Sequence, residues 1–199
     1  MIIVVLTGGI GRVNTTIGSF FNELGVPIYI ADVEAKKLMN TDEVLIKQIT
    51  FLLGDQSYID GKLNRAYIAN EVFSSPKLLK RLNSIVHPAV KKHFLKWASE
   101  QNAPYVIKEV AILFENGGHL DCDYTILVTA PKNDRIARVM KRDQASENDV
   151  IKRMNSQWTD NRKTAMADVL IENEFLDLSK DAVGRIHTHI MMRISRGWK

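Results

Sequence analysis

Unalternating apolar runs rich in Ile, Val and Tyr recur at Ile2–Leu6, Pro27–Ile30, Tyr105–Ile107 continuing to Leu113, Tyr124–Val128 and Val169–Ile171. Stretches with helical spacing separate them. Strands that are apolar on both faces and alternate with helices belong to a parallel sheet covered on both sides. The pattern therefore predicts an α/β fold with a parallel five-stranded sheet. The first crossover shows it best: Ile17, Phe20, Phe21 and Leu24 fall at i, i+3, i+4 and i+7, and Gly25 supplies a C-terminal stop before the second strand.

Two long helical excursions interrupt this alternation. From 33 to 101 the spacing is almost entirely helical, with helix starts expected at Thr41-Asp42 and Ser75-Pro76 and a break at Gly54 to Gly61. Helices extending from a sheet in this way are the usual place for a second substrate's pocket. The second excursion, Lys132 to Ala167, is basic and carries Arg135, Arg138, Arg142, Arg162 and Lys163 among its cations. The sequence has no internal repeat, low-complexity tract or linker composition.

Composition narrows the class. The chain has 199 residues, 45% apolar and 25% charged, which excludes a disordered, collagenous or disulfide-built protein. A net charge of +4 without long basic runs gives no reason to expect nucleic acid as a partner. The lone Cys122 forms no internal disulfide and reads as a buried thiol in a reducing compartment. The apolar run at Ile2–Leu6 is too short for a signal peptide or a membrane span, and nothing else approaches about 18 uninterrupted apolar residues. The expectation is a cytoplasmic chain without membrane contact, a monomer or a weak homo-oligomer.

Candidate chemistry concentrates where the first strand runs through Thr7-Gly8-Gly9-Ile10-Gly11-Arg12-Val13-Asn14 into a helix. Three glycines in four positions let the backbone wrap closely, so that amide N–H groups and the helix N-terminus converge on an anion. Laid from Gly8, the phosphate-loop template G-x-x-x-x-G-K-[ST] is met at Gly8 and Thr15 and fails at Val13 and Asn14. On spacing alone the segment is a damaged phosphate loop or a glycine-rich turn that holds no ligand.

Further segments stand in a fixed order over nearly the whole chain. They are VVLTGGIG at Val4–Gly11, FNELGVPIYIAD at Phe21–Asp32, DGKLNRAYIANEVF at Asp60–Phe73, NSIVHP at Asn83–Pro88, AILFENG at Ala111–Gly117, RVMKRD at Arg138–Asp143, and RMNSQ followed by ADVLIEN at Ala167–Asn173. In this order and spacing the chain resembles the dephospho-coenzyme A kinases. The resemblance implies a three-layer P-loop kinase fold as one domain over 1–199, with 33–101 as a helical CoA-substrate subdomain and 132–167 as a helical lid. It implies phosphoryl transfer from ATP, with Mg²⁺, to the ribose 3′-hydroxyl of dephospho-CoA, a small-molecule substrate.

The same resemblance assigns residues to roles. Gly8, Gly9, Gly11, Arg12, Val13, Asn14, Thr15 and Thr16 fall in the ATP-binding loop, and the Thr15 hydroxyl matches the Mg²⁺ ligand. Asp32 matches the family's candidate base for the ribose hydroxyl, or else caps the helix expected from Val33. Arg138 and Arg142 lie one helical turn apart and close over phosphates from the lid, or form a solvated basic face. Arg65 and His87 fall in or near the CoA-substrate pocket, with His87 alternatively a structural histidine ending a helix. Glu115 is grouped with them or stabilises the loop after its strand. Asn173 falls where the family approaches adenine, as a base reader or as a turn residue.

One departure is chemical. Where the family has Gly-Ser-Gly-Lys-Ser/Thr-Thr, this chain has Gly11-Arg12-Val13-Asn14-Thr15-Thr16. Asn14 leaves only a neutral amide donor where a lysine would bridge the β- and γ-phosphates, a loss of at least about 10²–10³ in rate. Val13 sets a β-branched residue where glycine's freedom is expected, and Arg12 stands two positions too early to replace the lysine. Three readings stay open: a kinase altered at 12–14 by engineering or sequence error, a natural enzyme with a divergent loop, or a non-catalytic nucleotide- or CoA-binding relative. A nucleoside or nucleotide is the alternative substrate class.

Overall fold

The computed structural model describes residues 1–11 and 14–198, with the side chain of Asn116 left aside. Along the chain come β1 (Ile2–Gly8), α1 (Asn14–Glu23), β2 (Ile28–Ile30), α2 (Ala31–Thr41), α3 (Glu43–Leu53), β3 (Tyr58–Ile59), β4 (Lys62–Leu63), α4 (Arg65–Phe73) and α5 (Pro76–Ser99). Then follow β5 (Tyr105–Val110), β6 (Tyr124–Thr129), α6 (Lys132–Asp143), α7 (Glu147–Asn155), α8 (Asp160–Thr164), β7 (Val169–Glu172) and α9 (Leu176–Ser195). The polypeptide divides into two compact units, one made of Met1–Ile30 with Gln101–Lys199, the other of Ala31–Glu100.

The first unit is built on the five-stranded parallel sheet, in the order β2-β5-β1-β6-β7. β1 is central, pairing Val4 with Ile107 on one side and with Tyr124 on the other. Its residues Val4, Val5 and Leu6 are at most 2% exposed, which is why the run does not alternate. Val4, Leu6, Ile107, Ile126 and Ile171 pack under α1 and α9 through Ile17, Phe21, Val183 and Ile190. On the other face Val5 and Leu127 pack with Leu113, Phe114 and Trp158, completing three layers. The third apolar run stops being a strand at Val110, and Phe114–Asn116 form a single 3-10 turn.

The end of α1 follows its sequence signal with one correction. Gly25 takes φ +80, and Gly25 and Val26 donate N–H groups to the carbonyls of Asn22 and Phe21, which closes the helix with a left-handed glycine. Leu24 lies beyond the helix and is 46% exposed, so the buried stripe ends at Phe21.

The second unit is helical except for one feature that periodicity did not show. β3 and β4 pair antiparallel around Asp60-Gly61, both at positive φ, a two-residue hairpin turn of the Asp-Gly kind. The expected starts hold: Asp42 caps α3 through the N–H groups of Val44 and Leu45, and Ser75 caps α5 with Pro76 at its first position. Two expectations are overturned. α2 begins at Ala31, so Asp32 sits inside the first helical turn and is not its cap. α5 runs through Pro88, so His87 does not end a helix; the carbonyl that Pro88 leaves unbonded is that of exposed Ser84, where water can serve it. Among the described residues no helix is long and apolar enough to cross a membrane.

Candidate active site

β1 carries the chain to Gly8 at the middle of the sheet, and α1 starts again at Asn14. The intervening turn is held from outside. The Ile10 N–H donates to Gln157 Oε1 at 3.1 Å, and Arg135 Nε donates to the Ile10 carbonyl at 3.1 Å. Gly11 has φ +76, and a Cβ there would stand 2.5 Å from the Arg135 carbonyl oxygen and 2.9 Å from Val139 Cγ2. Only glycine lets the loop and α6 approach this closely. Arg12 and Val13 lie outside the described residues.

Asn14 opens α1 and is only 7% exposed, and its Oδ1 is buried without a hydrogen-bond partner among the described residues. A buried amide oxygen in this condition is costly unless a ligand or ion completes it. Thr15, one position on, donates from Oγ1 to Glu109 Oε1 at 3.4 Å. Glu109 sits near the end of β5, in register with Leu6 of β1, and its Oε2 lies 3.8 Å from where a Cβ of Gly18 would be. A hydroxyl and a carboxylate oxygen side by side at a helix N-terminus form a hard-oxygen pair of the kind that suits Mg²⁺. Nothing in the sequence pattern singles out Glu109. The available signal was a carboxylate near the C-terminal end of a strand in the same sheet. Thr16 lies in the first turn of α1, where its carbonyl accepts from Ser19 Oγ at 2.8 Å.

The basic excursion contributes unequally. Arg138, on the helix that abuts Gly11, makes only a 4.0 Å approach to Asp134, and its Nη1 is sheltered without a partner among the described residues. Arg142, one turn on, is two-thirds exposed and donates from Nε and Nη2 to Asp143 at 2.7 and 3.0 Å. The Arg142 guanidinium holds the Asp143 carboxyl below its ordinary pKa, aided by Arg153. The two arginines are therefore engaged differently.

Glu115 is committed within the fold. It accepts from Lys163 Nζ at 2.8 Å and from the Trp158 N–H at 3.1 Å. Burial works to raise its pKa, but the Lys163 hydrogen bond and the backbone N–H donors outweigh it and hold the carboxyl below its usual value. Asn173 is 4% exposed; its Oδ1 accepts from Ser179 and its N–H donates to the Thr129 carbonyl. In the helical unit Asp32, Arg65 and His87 are exposed residues of α2, α4 and α5. Cys122 is half-buried, and burial first, then nearby aspartates, push its thiol up to about 11.

Comparison with known proteins gives this geometry its context. The family described as "CoaE: Dephospho-CoA kinase" matches residues 2–177. A dephospho-CoA kinase of Bacteroides fragilis is 36% identical over 170 residues, covering 85% of this chain and 83% of that protein. The crystal structure of TT1252 from Thermus thermophilus superimposes with a TM-score of 0.85 at 30% identity, covering 94% of this chain and 97% of that one. The dephospho-CoA kinase from Campylobacter jejuni shares the fold, with a TM-score of 0.59 at 23% identity over 94% of this chain and 96% of that one. The layered sheet, the glycine turn feeding α1 and these likenesses agree, and the chain belongs to the dephospho-CoA kinase family.

Proposed function

We propose that this chain transfers the γ-phosphoryl group of ATP to the ribose 3′-hydroxyl of dephospho-CoA, giving coenzyme A. The observation that carries the reading is the Thr15–Glu109 oxygen pair at the start of α1, directly after a glycine turn locked by Ile10 and Gly11. Phosphoryl transfer asks the protein mainly for positioning and for neutralising charge. The N–H groups of Gly9, Gly11 and the first turn of α1 supply donors for the phosphates. Thr15 and Glu109 would hold Mg²⁺, directly or through its waters, and bound there the ion would neutralise charge on the triphosphate. Arg138 supplies a further cation from α6, and Arg142 joins it on release from Asp143. Asp32 is the candidate acceptor of the ribose hydroxyl proton, Arg65 and His87 are candidates for binding the substrate, and 132–167 is the candidate lid. Asn173 approaches the adenine with its backbone and remaining amide edge.

Asn14 sets the rate. A neutral amide in place of a cation lowers transition-state stabilisation, and turnover is accordingly about 10²–10³ below that of the lysine-bearing loop. A second reading, nucleotide binding without transfer, is favoured by the burial of Asn14 without a partner for its Oδ1. Mass analysis of products after incubation with ATP, Mg²⁺ and either dephospho-CoA or a panel of nucleosides separates these readings. Gain of one phosphate on dephospho-CoA alone supports the proposal; no phosphorylated product from any acceptor supports binding without transfer, and phosphorylated nucleosides with dephospho-CoA unchanged would contradict the proposal.

A further inference from the structure

The segment from Gln157 to Lys163 lies between α7 and β7, away from the glycine turn in sequence, yet several of its residues grip the site. Gln157 Oε1 accepts from the Ile10 N–H, and the Trp158 N–H donates to Glu115. Asp160 Oδ2 accepts from Arg135 Nη1 at 2.8 Å, and Lys163 Nζ binds Glu115 at 2.8 Å. Arg162 lies over the Trp158 ring at 3.3 Å, and Trp158 packs against the apolar cluster on the sheet's second face. Arg135 and Lys163 have only 7% and 3% of their side chains exposed; the Lys163–Glu115 pair is buried, and Asp160 meets Arg135 from the solvent side at 42% exposure.

The consequence falls on two consecutive peptide units of the loop. Between Gly9 and Ile10 the N–H is committed to Gln157, so it does not serve a phosphate. Between Ile10 and Gly11 the carbonyl is drawn toward Arg135, and because a trans peptide points its C=O and N–H in opposite directions, the Gly11 N–H is turned away from that guanidinium. Gly11, which follows these two peptides, has a positive φ of +76. In a loop without its lysine, backbone donors carry more of the phosphate recognition, and their direction is what this clamp fixes.

We infer that Gln157 and Arg135 are positioning residues for the nucleotide, acting through the Ile10 peptides to aim the loop's N–H groups, with the strap Gln157–Lys163 as their mount. The inference rests on the ATP-binding half of the function proposed above and is independent of which acceptor is phosphorylated.

The test compares Gln157→Leu, which keeps bulk and removes the acceptor, with Gln157→Glu, which keeps an acceptor oxygen at the same reach. Dissociation constants are measured for a fluorescent methylanthraniloyl-ATP in Mg²⁺, and KM values for ATP and for dephospho-CoA, with melting temperatures recorded alongside. Removing the acceptor of the part-buried Ile10 N–H releases the peptide it holds, a change of about 5- to 100-fold. Gln157→Leu is expected to weaken nucleotide binding and raise the KM for ATP by that factor, with the KM for dephospho-CoA unchanged within about twofold. Gln157→Glu is expected to restore nucleotide binding to within about threefold of the wild type. Equal rises in both KM values, nucleotide binding by Gln157→Leu that matches the wild type, or a Gln157→Glu variant as weak as Gln157→Leu at matched melting temperature would each overturn the inference. A wild-type chain that binds the nucleotide without phosphorylating dephospho-CoA contradicts the proposed function alone, and the dissociation constants then decide the role of Gln157. A wild-type chain that binds no nucleotide overturns both.

Discussion

The Thr15 hydroxyl reaches Glu109 Oε1 at 3.4 Å, across 94 residues of sequence, and joins the first turn of α1 to β5. Thr15 is exposed, and the sheet is built from the apolar runs around Glu109. Their adjacency at the start of α1 is the geometry on which the proposed Mg²⁺ site rests.

Glu109→Gln keeps the shape and removes the charge. The kcat is expected to fall by about 10²–10³ while the melting temperature moves little. A magnesium titration gives the sharper reading, because weaker metal affinity shifts the activity curve to higher Mg²⁺. An unchanged curve would separate Glu109 from the metal.

At Gly11 the constraint is steric and conformational together. Gly11→Ala places a Cβ 2.5 Å from the Arg135 carbonyl in a left-handed backbone, so the loop and α6 must part. A destabilisation of about 1–3 kcal/mol in denaturant unfolding and loss of nucleotide binding are expected. Gly25→Ala, with φ +80 and nothing within 4 Å of its Cβ, should cost stability through the backbone alone and leave nucleotide binding intact.

The Lys163–Glu115 pair predicts a pH dependence. Glu115 has a folded-state pKa below its ordinary 4.5, so its contribution is complete above that value and is lost as the pH falls through the lowered one. Acid unfolding followed by circular dichroism should therefore be steeper in the wild type than in Glu115→Gln below about pH 4.5. Lys163→Met leaves a carboxylate with little exposure and no cation, and at pH 7 is expected to cost about 3–5 kcal/mol.

Arg138 and Arg142 should separate in kinetics. Arg142 must leave Asp143 before it can act, whereas Arg138 already stands on the turn of α6 that abuts Gly11 with a sheltered donor. Arg138→Ala is expected to lower kcat by about 10²-fold or more. Asp143→Asn, which frees Arg142, is expected to leave kcat the same or raise it. Equal losses in Arg138→Ala and Arg142→Ala would show that the difference between them ends when the nucleotide binds.

What the sequence made legible was what has a period or a punctuating residue. β1 announces itself through Val4, Val5 and Leu6, all buried because both faces are covered, and α1 through Ile17, Phe21 and the stop at Gly25. The hairpin at Tyr58–Leu63 does not show in the periodicity because two-residue strands are too short to alternate, although Asp60-Gly61 is a turn signal in its own right. Proline usually ends a helix, so His87 reads as a helix end, whereas the carbonyl that Pro88 frees belongs to exposed Ser84 and α5 continues. At the site, the glycine turn and Thr15 were readable as a contiguous motif. Glu109, Arg135 and Gln157 were not, because each earns its place through a partner more than 90 residues distant: Thr15 for the first and Ile10 for the other two.

The loop chemistry offers the most direct test of the whole account. ADP release is measured with ATP, Mg²⁺ and dephospho-CoA for this chain and for the double change Val13→Gly, Asn14→Lys. The account predicts dephospho-CoA-dependent release by both, with the restored loop faster by about 10²–10³. Failure of both chains to release ADP in response to dephospho-CoA would contradict it.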